Sequence, residues 1–129
     1  MNRFFAVLIM VVVSHGVQAQ TQEKFTEHLT GLITQLATLT GLAGQCGEQL
    51  DYYGKDAVAG KECAEFNKQF YALWPGRDQL REEIAELIRV VESGEQPCDD
   101  ICTSQVQRIE ELRVTVTYFL DYFDFWKES

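Results

Sequence analysis

Apolar residues recur at alternating steps of three and four along most of this chain, and this period limits its fold more than any other feature. Three stretches show it, from Phe25 to Tyr53, from Cys63 to Val91 and from Cys102 to Trp126. Such steps place side chains on one face of an α-helix, so the sequence predicts an all-α fold of three long helices. The predicted core positions are Phe25, Leu29, Leu32, Leu36, Leu39, Ala43, Cys46, Leu50, Tyr53, Cys63, Phe66, Phe70, Leu73, Leu80, Ile84, Leu87, Val91, Cys102, Val106, Ile109, Leu112, Val116, Phe119, Leu120, Phe123 and Trp126.

The middle stretch is interrupted by Trp74-Pro75-Gly76, although its apolar register continues on both sides. Proline removes a backbone hydrogen bond from a helix interior and restricts the residue before it. We therefore expect the middle helix to be kinked or broken at Pro75. Three helices of similar length with short connections favour an up-down-up bundle, and the alternative is a four-helix bundle divided at Pro75.

Residues 1–19 have the pattern of a cleavable signal peptide. Arg3 supplies a positive charge, ten apolar residues follow from Phe4 to Val13, and Ala19 ends a short segment rich in small residues. A bilayer-spanning helix needs about 20 apolar residues, so this run favours cleavage over anchoring. We expect a mature domain of residues 20–129 that is periplasmic or secreted and is not held in a membrane.

The mature domain is strongly acidic. Arg3 is the one charged residue in the predicted signal, so the net charge of −9 becomes −10 after cleavage. Nucleic acids and anionic membrane surfaces repel such a chain, and we expect it to bind neither. A cationic partner would instead be attracted over long range.

Several ligand-supplying residues are missing from the mature domain. Both methionines and His15 lie in the predicted signal, which leaves His28 as the single histidine. A zinc site of His/Cys type, a di-iron bundle and a Met/His haem pocket need ligands that this set does not supply. We therefore expect no cofactor and no metal site, and we predict that the protein is not an enzyme.

Four cysteines in a small exported domain indicate disulfides. Cys46 and Cys63 lie at similar distances on either side of Gly54, where the first helix should end, so they face each other in an antiparallel hairpin. Cys98 and Cys102 belong to the opposite end of the bundle. We predict Cys46–Cys63 and Cys98–Cys102 bridges, because a disulfide requires Cα atoms within about 7 Å of each other.

Clustered carboxylates are the main candidates for catalytic or ligand-binding residues. Glu82, Glu83 and Glu86 share one helix, where they could bind a ligand or carry out acid–base catalysis. Carboxylates on a helix more often form a solvated face with arginine partners three or four residues away, which is our preferred interpretation. His28 lies beside the core position Leu29, and we interpret it as a boundary packing residue.

The C-terminal segment carries more aromatic residues than one core face can bury. Tyr118, Tyr122 and Phe125 lie on one side of the predicted helix, displaced from the core positions, and we call these three residues the aromatic stripe. Asp121 and Asp124 flank it. Exposed aromatic residues with a polar border are typical of protein interfaces, so we predict partner binding here, with burial between two helices as the alternative.

Together these features favour an exported, non-enzymatic protein-interaction module. The partner classes that suit its charge are a cationic toxin or enzyme, which it would inhibit in the manner of an immunity protein, and an envelope component. Two alternatives stay open. One is a small-ligand binder or enzyme that uses Glu82, Glu83 and Glu86, and the other is a structural oligomer formed by self-association of the aromatic stripe.

Overall fold

The computed structural model describes residues 20–129, so the predicted signal peptide lies outside the described residues. This part of the chain is helical, contains no β-strand and confirms the predicted all-α class. It forms four α-helices rather than three, with a 3₁₀-helix after the first. The elements are α1 (Gln22–Tyr53), the 3₁₀-helix (Gly54–Ala59), α2 (Lys61–Leu73), α3 (Arg77–Glu92) and α4 (Asp100–Lys127).

Side chains and glycine set the ends of the two longest helices. The Thr21 hydroxyl accepts a hydrogen bond from the Lys24 amide at 3.1 Å and caps α1. Gly54 ends α1 with a φ of 64°, a left-handed conformation that glycine adopts without strain. At the start of α4, an Asp99 carboxylate oxygen accepts from the Cys102 amide at 2.8 Å.

The predicted interruption at Pro75 is a complete break. Trp74 is in the extended conformation that proline imposes on its predecessor, with φ −137° and ψ 139°. The helix therefore ends at Leu73, and the next helix begins at Arg77. The segment expected to be a kinked or broken middle helix therefore forms two helices, α2 and α3.

The core agrees with the predicted positions except near helix ends. Tyr53 and Leu73 are exposed because each is the last residue of its helix, where the chain changes direction. Val90 is buried in place of Val91, which is half-buried, and Trp126 is also half-buried. The remaining predicted positions lie in one continuous apolar cluster.

The helices differ in how closely their backbones approach. Among the described residues, α1 lies near both α2 and α4, whereas α3 lies near α4 alone. No Cα atom of α3 comes within 8 Å of a Cα atom of α1. Within α1, a Cβ added at Gly47 would lie 3.6 Å from the Phe119 ring, so a small residue permits close packing there. At Gly41 and Gly44 an added Cβ would meet open space.

Both predicted disulfides are confirmed. Cys46 and Cys63 join α1 to α2 with their Cα atoms 4.6 Å apart. Cys98 and Cys102 bridge the first turn of α4 with their Cα atoms 5.2 Å apart. The first bridge fixes the α1–α2 hairpin, and the second fixes the entry into α4.

Within residues 20–129, no helix combines the length and the apolar character that crossing a bilayer requires.

Candidate interaction surface and interhelical cleft

The ends of α1 and α4 lie side by side and carry six aromatic residues that are exposed or half-buried. Trp126 of α4 packs against the turn after α1, since a Cβ added at Gly54 would lie 3.3 Å from its indole. The Tyr122 hydroxyl donates a hydrogen bond to the Asp51 carboxylate of α1. We call this region the aromatic surface, and its members are Tyr52, Tyr53, Tyr118, Tyr122, Phe125 and Trp126.

Four members of the aromatic surface are largely open to solvent. Tyr118 is 76% exposed and Phe125 is 62% exposed, while Tyr52 and Tyr53 are 83% and 60% exposed. Their rings therefore contribute little to the folded core. The Tyr52 and Tyr53 rings lie edge to face with centroids 5.3 Å apart, a geometry that the aromatic quadrupole favours.

Tyr122 differs from its neighbours in the aromatic stripe because it is half-buried and packs against the core. Its hydrogen bond to Asp51 raises the pKa of the phenol, since the ionised oxygen would face a carboxylate. Tyr122 thus joins α4 to α1, whereas Tyr118 and Phe125 on either side of it are free of such contacts. The structure brings all three predicted residues to one face but gives them two different environments.

Trp126 forms the base of the aromatic surface. Its ring centroid lies 5.4 Å from that of Phe125 and 6.5 Å from that of Tyr122, and both pairs are close to edge-to-face. The indole Nε1 is buried and makes no hydrogen bond of standard geometry to residues 20–129. Sequence analysis assigned Trp126 to the core, and the structure places it between the core and the exposed rings.

The two aspartates that flank the aromatic stripe are engaged in ion pairs. Asp121 and Asp124 both bind the Arg77 guanidinium, which comes from the first residue of α3. The polar border expected beside the stripe is present, but it also ties the start of α3 to α4. Asp121 keeps 69% of its side-chain surface exposed, so it is still accessible to an approaching partner.

The carboxylates singled out in the sequence fall into two groups. The Arg89 guanidinium donates a hydrogen bond to the Glu86 carboxylate, with the two atoms 2.8 Å apart. This hydrogen bond lowers the pKa of the Glu86 carboxyl and raises the pKa of Arg89. Two clefts lie between α1 and α3: Glu83 lines both, Glu86 lines only the smaller one, and Glu82 lines neither. Glu86 has the predicted arginine partner, whereas Glu83 is exposed but pairs with no arginine among the described residues.

The space between α1 and α3 is a cleft of about 360 Å³ that sequence analysis did not anticipate. A smaller cleft of about 170 Å³ shares His28, Leu32 and Glu83 with it. His28 is exposed at the border of both clefts, so it is not a packing residue as interpreted from the sequence. The residues around the larger cleft are Glu27, His28, Gly31, Leu32, Gln35, Leu73, Trp74 and Glu83.

Among residues 20–129, no three side chains of the His, Cys, Asp and Glu types are arranged to hold a metal ion. No protein-family model, no curated protein and no solved structure matches this chain. A functional proposal therefore depends on the aromatic surface and the cleft themselves.

Proposed function

We propose that this protein is an exported, non-enzymatic module that binds another protein through its aromatic surface. The observation that carries the proposal is the exposure of Tyr52, Tyr53, Tyr118 and Phe125 at the shared end of α1 and α4. Tyrosine and phenylalanine are enriched at protein interfaces because their rings bury a large area on binding. A cluster at one end of the molecule is a more specific signal than single exposed apolar residues.

Two features support export. Residues 1–19 carry the signal-peptide pattern, and the domain that follows has both of its cysteine pairs joined as disulfides. Disulfides persist in oxidising compartments and are rare in the cytosol. A periplasmic or secreted location is therefore consistent with both the leader and the covalent structure.

The charge of the domain favours a basic partner. The net charge after signal cleavage is −10, and acidic groups border the aromatic surface at Asp51 and Asp121. Electrostatic attraction would raise the association rate of a cationic toxin, enzyme or envelope component. The aromatic rings would then supply the buried contact area, and the carboxylates would supply the polar border.

We further propose that the helices form an up-down-up bundle in which α2 and α3 together make the broken middle rod. Contacts at both ends support a parallel arrangement of α1 and α4. Gln20 before α1 hydrogen-bonds to Gln96 before α4, and Asp51 near the end of α1 meets Tyr122 near the end of α4. The Cys46–Cys63 bridge supports an antiparallel α1–α2 pair.

The aromatic surface is tested with the double variant Tyr118→Ser/Phe125→Ser. Both side chains are exposed, so we expect a change of less than about 0.5 kcal/mol in the free energy of unfolding. Capture of the partner from the native envelope should fall at least tenfold, as measured by quantitative mass spectrometry against the wild-type protein. Light scattering on the same samples shows whether the surface joins two copies of this chain instead.

Ile101→Ser/Val114→Ser is the matched control. Both residues are exposed apolar side chains of α4, at 73% and 48% exposure, and neither belongs to the aromatic surface. This control should retain partner capture. Equal loss in the two double variants would show that general surface hydrophobicity, and not the aromatic surface, causes the interaction. A drop in stability of several kcal/mol in Tyr118→Ser/Phe125→Ser would show that the rings serve folding.

A further inference from the structure

We propose that the cleft between α1 and α3 binds an organic cation, namely an ammonium or guanidinium group carried on a short aliphatic chain. The cleft has acidic groups at Glu27 and Glu83 and an apolar wall that includes Leu32, Leu73 and Trp74. Its volume of about 360 Å³ is at the small end of the range for ligand sites. None of these residues belongs to the aromatic surface, so this site is independent of the proposed protein interaction.

Glu83 is held in place by a buried aromatic residue. The Trp74 indole Nε1 donates a hydrogen bond to Glu83 Oε1 at 2.9 Å, and Trp74 is only 4% exposed. The other carboxylate oxygen, Oε2, accepts no hydrogen bond from the described residues. One oxygen therefore fixes the side chain against α2's end, and the second is available to a ligand.

Like most glutamates of residues 20–129, the two cleft carboxylates have no ion-pair partner. Glu86, Glu95 and Glu110 each lie within 3 Å of an arginine nitrogen. In the part of the chain that the structure describes, Glu27 and Glu83 have no lysine, arginine or histidine nitrogen within 4.0 Å. Both glutamates are exposed at the rim of the apolar-walled cleft, where they can attract a cation that enters it.

The apolar wall selects among cations. Leu32 and Trp74 are buried, and together with Leu73 they give an aliphatic chain a surface to cover. A strongly hydrated inorganic cation gains nothing from these residues, whereas an alkyl guanidinium satisfies both parts of the cleft.

The primary test is a calorimetric titration of the purified, disulfide-bonded protein with agmatine, which carries a guanidinium on a four-carbon chain. We expect saturable binding in the millimolar range or tighter. Glu83→Gln should weaken it at least tenfold, because glutamine can still accept the Trp74 hydrogen bond but has no charge. Its matched control is Glu82→Gln, which removes the same charge from the neighbouring residue outside the cleft and should bind as the wild type does.

A second pair of variants tests the space itself. A Cβ at Gly31 would meet no atom within 4 Å, and Gly31 lines the cleft, so Gly31→Leu should fill it and abolish agmatine binding without damage to the core. Gly41→Leu is the control, because Gly41 is equally open on the same helix but lies outside the cleft. Both replace a helix-interior glycine, so both should fold at least as stably as the wild type.

The ligand chemistry has two sources, a free small cation or an arginine side chain of a polypeptide. Titrations with agmatine and with an acetylated, amidated Gly-Arg-Gly peptide distinguish the two sources. Tighter binding of agmatine indicates a free small cation, and tighter binding of the peptide indicates an arginine side chain. Both results support the proposal. Three results would overturn it: no saturable binding of either probe, equal weakening in Glu82→Gln and Glu83→Gln, and unchanged binding in Gly31→Leu. The second result would indicate diffuse attraction to an acidic protein.

Discussion

The helices α2 and α3 come from one continuous apolar pattern, yet they have different neighbours. α2 lies close to α1 and is covalently joined to it through Cys46 and Cys63. α3 lies close to α4, and a cleft separates it from α1. A shared pattern of buried positions therefore does not imply a shared packing partner.

The break at Pro75 accounts for this difference. An unbroken helix would carry its backbone past α1 at a nearly constant distance, as coiled-coil packing requires. Three non-helical residues, Trp74 to Gly76, let α3 take its own direction after α2 has ended. The cleft lies on that side of the break, and the Trp74 side chain lines it. The proline thus separates a packed, cross-linked region from an open one that can hold a ligand.

The largest expected effect comes from comparing two leucines of α1 on the two sides of this division. Leu50 is fully buried in the last part of α1, after Cys46, and Leu32 is 4% exposed and lines both clefts. Leu50→Ala should lower the free energy of unfolding by about 4 kcal/mol, because its cavity is enclosed. Leu32→Ala should cost about 2 kcal/mol, because its cavity joins an existing cleft. Denaturant unfolding measures both values.

Equal losses in Leu50→Ala and Leu32→Ala would break the comparison. They would mean that α3 closes on α1 in solution and that Leu32 is enclosed as tightly as Leu50. This conclusion requires that the dependence of the unfolding free energy on denaturant concentration is unchanged in both variants, because a changed slope indicates an altered unfolded or native state.

The disulfides should show an intermediate effect, and the two bridges differ in loop length. Cys46 and Cys63 are separated by 17 positions, whereas Cys98 and Cys102 are separated by 4. On chain-entropy grounds, removal costs about 3 kcal/mol for the first bridge and about 2 kcal/mol for the second. Unfolding of Cys46→Ala/Cys63→Ala and of Cys98→Ala/Cys102→Ala checks this order.

The opposite order of the two disulfide variants would have a specific meaning. It would show that the bridge at the start of α4 contributes mainly by fixing the native conformation there, and not by restricting the unfolded chain. α2 would then be held in the bundle by its packed rings, such as Phe66 against Phe119 of α4 with centroids 4.8 Å apart.

Sequence reasoning predicted the local structure well because helical period, glycine and proline positions and cysteine spacing are short-range signals. Gly54 and Pro75 each mark a helix boundary through their own backbone chemistry. Leu73 and Tyr53 were wrong as core positions because the pattern does not show where the last turn leaves the bundle. Val90 is buried instead of the predicted Val91 for a related reason, since two adjacent valines fit the period almost equally well.

The candidate sites were less predictable because they depend on distances between helices. Nothing in the sequence indicates that Trp74 reaches Glu83, nine residues later and across the break. Nor does it indicate that the Tyr122 hydroxyl hydrogen-bonds to Asp51 whereas Tyr118 is exposed to solvent. One usable signal was present, namely a tryptophan directly before a proline inside an otherwise helical pattern. A large aromatic side chain at a helix break must pack somewhere, and here it packs into the wall of the cleft.

The smallest expected effect concerns the ion pairs at the start of α3. Arg77 binds Asp121 and Asp124 of α4, whereas Arg81, one turn later, is exposed. Arg77→Gln should lower the free energy of unfolding by about 0.5–1 kcal/mol, because the aspartates are partly solvated. The difference from wild type should shrink in 1 M salt, where charges are screened within about 3 Å. Arg81→Gln is the matched control, and its stability should be nearly unchanged.

Amide hydrogen exchange then locates the effect of Arg77→Gln. Because the ion pairs hold α3 to α4 and not α2 to α1, exchange should accelerate in residues 77–92 and stay unchanged in residues 61–73. Faster exchange in both segments would mean that α2 and α3 open together as one unit despite the break. No acceleration in either segment would mean that burial of Leu80 and Ile84 alone holds α3 in place. The expected result, a change confined to α3, would show that the two halves of one apolar pattern are energetically separate as well as structurally different.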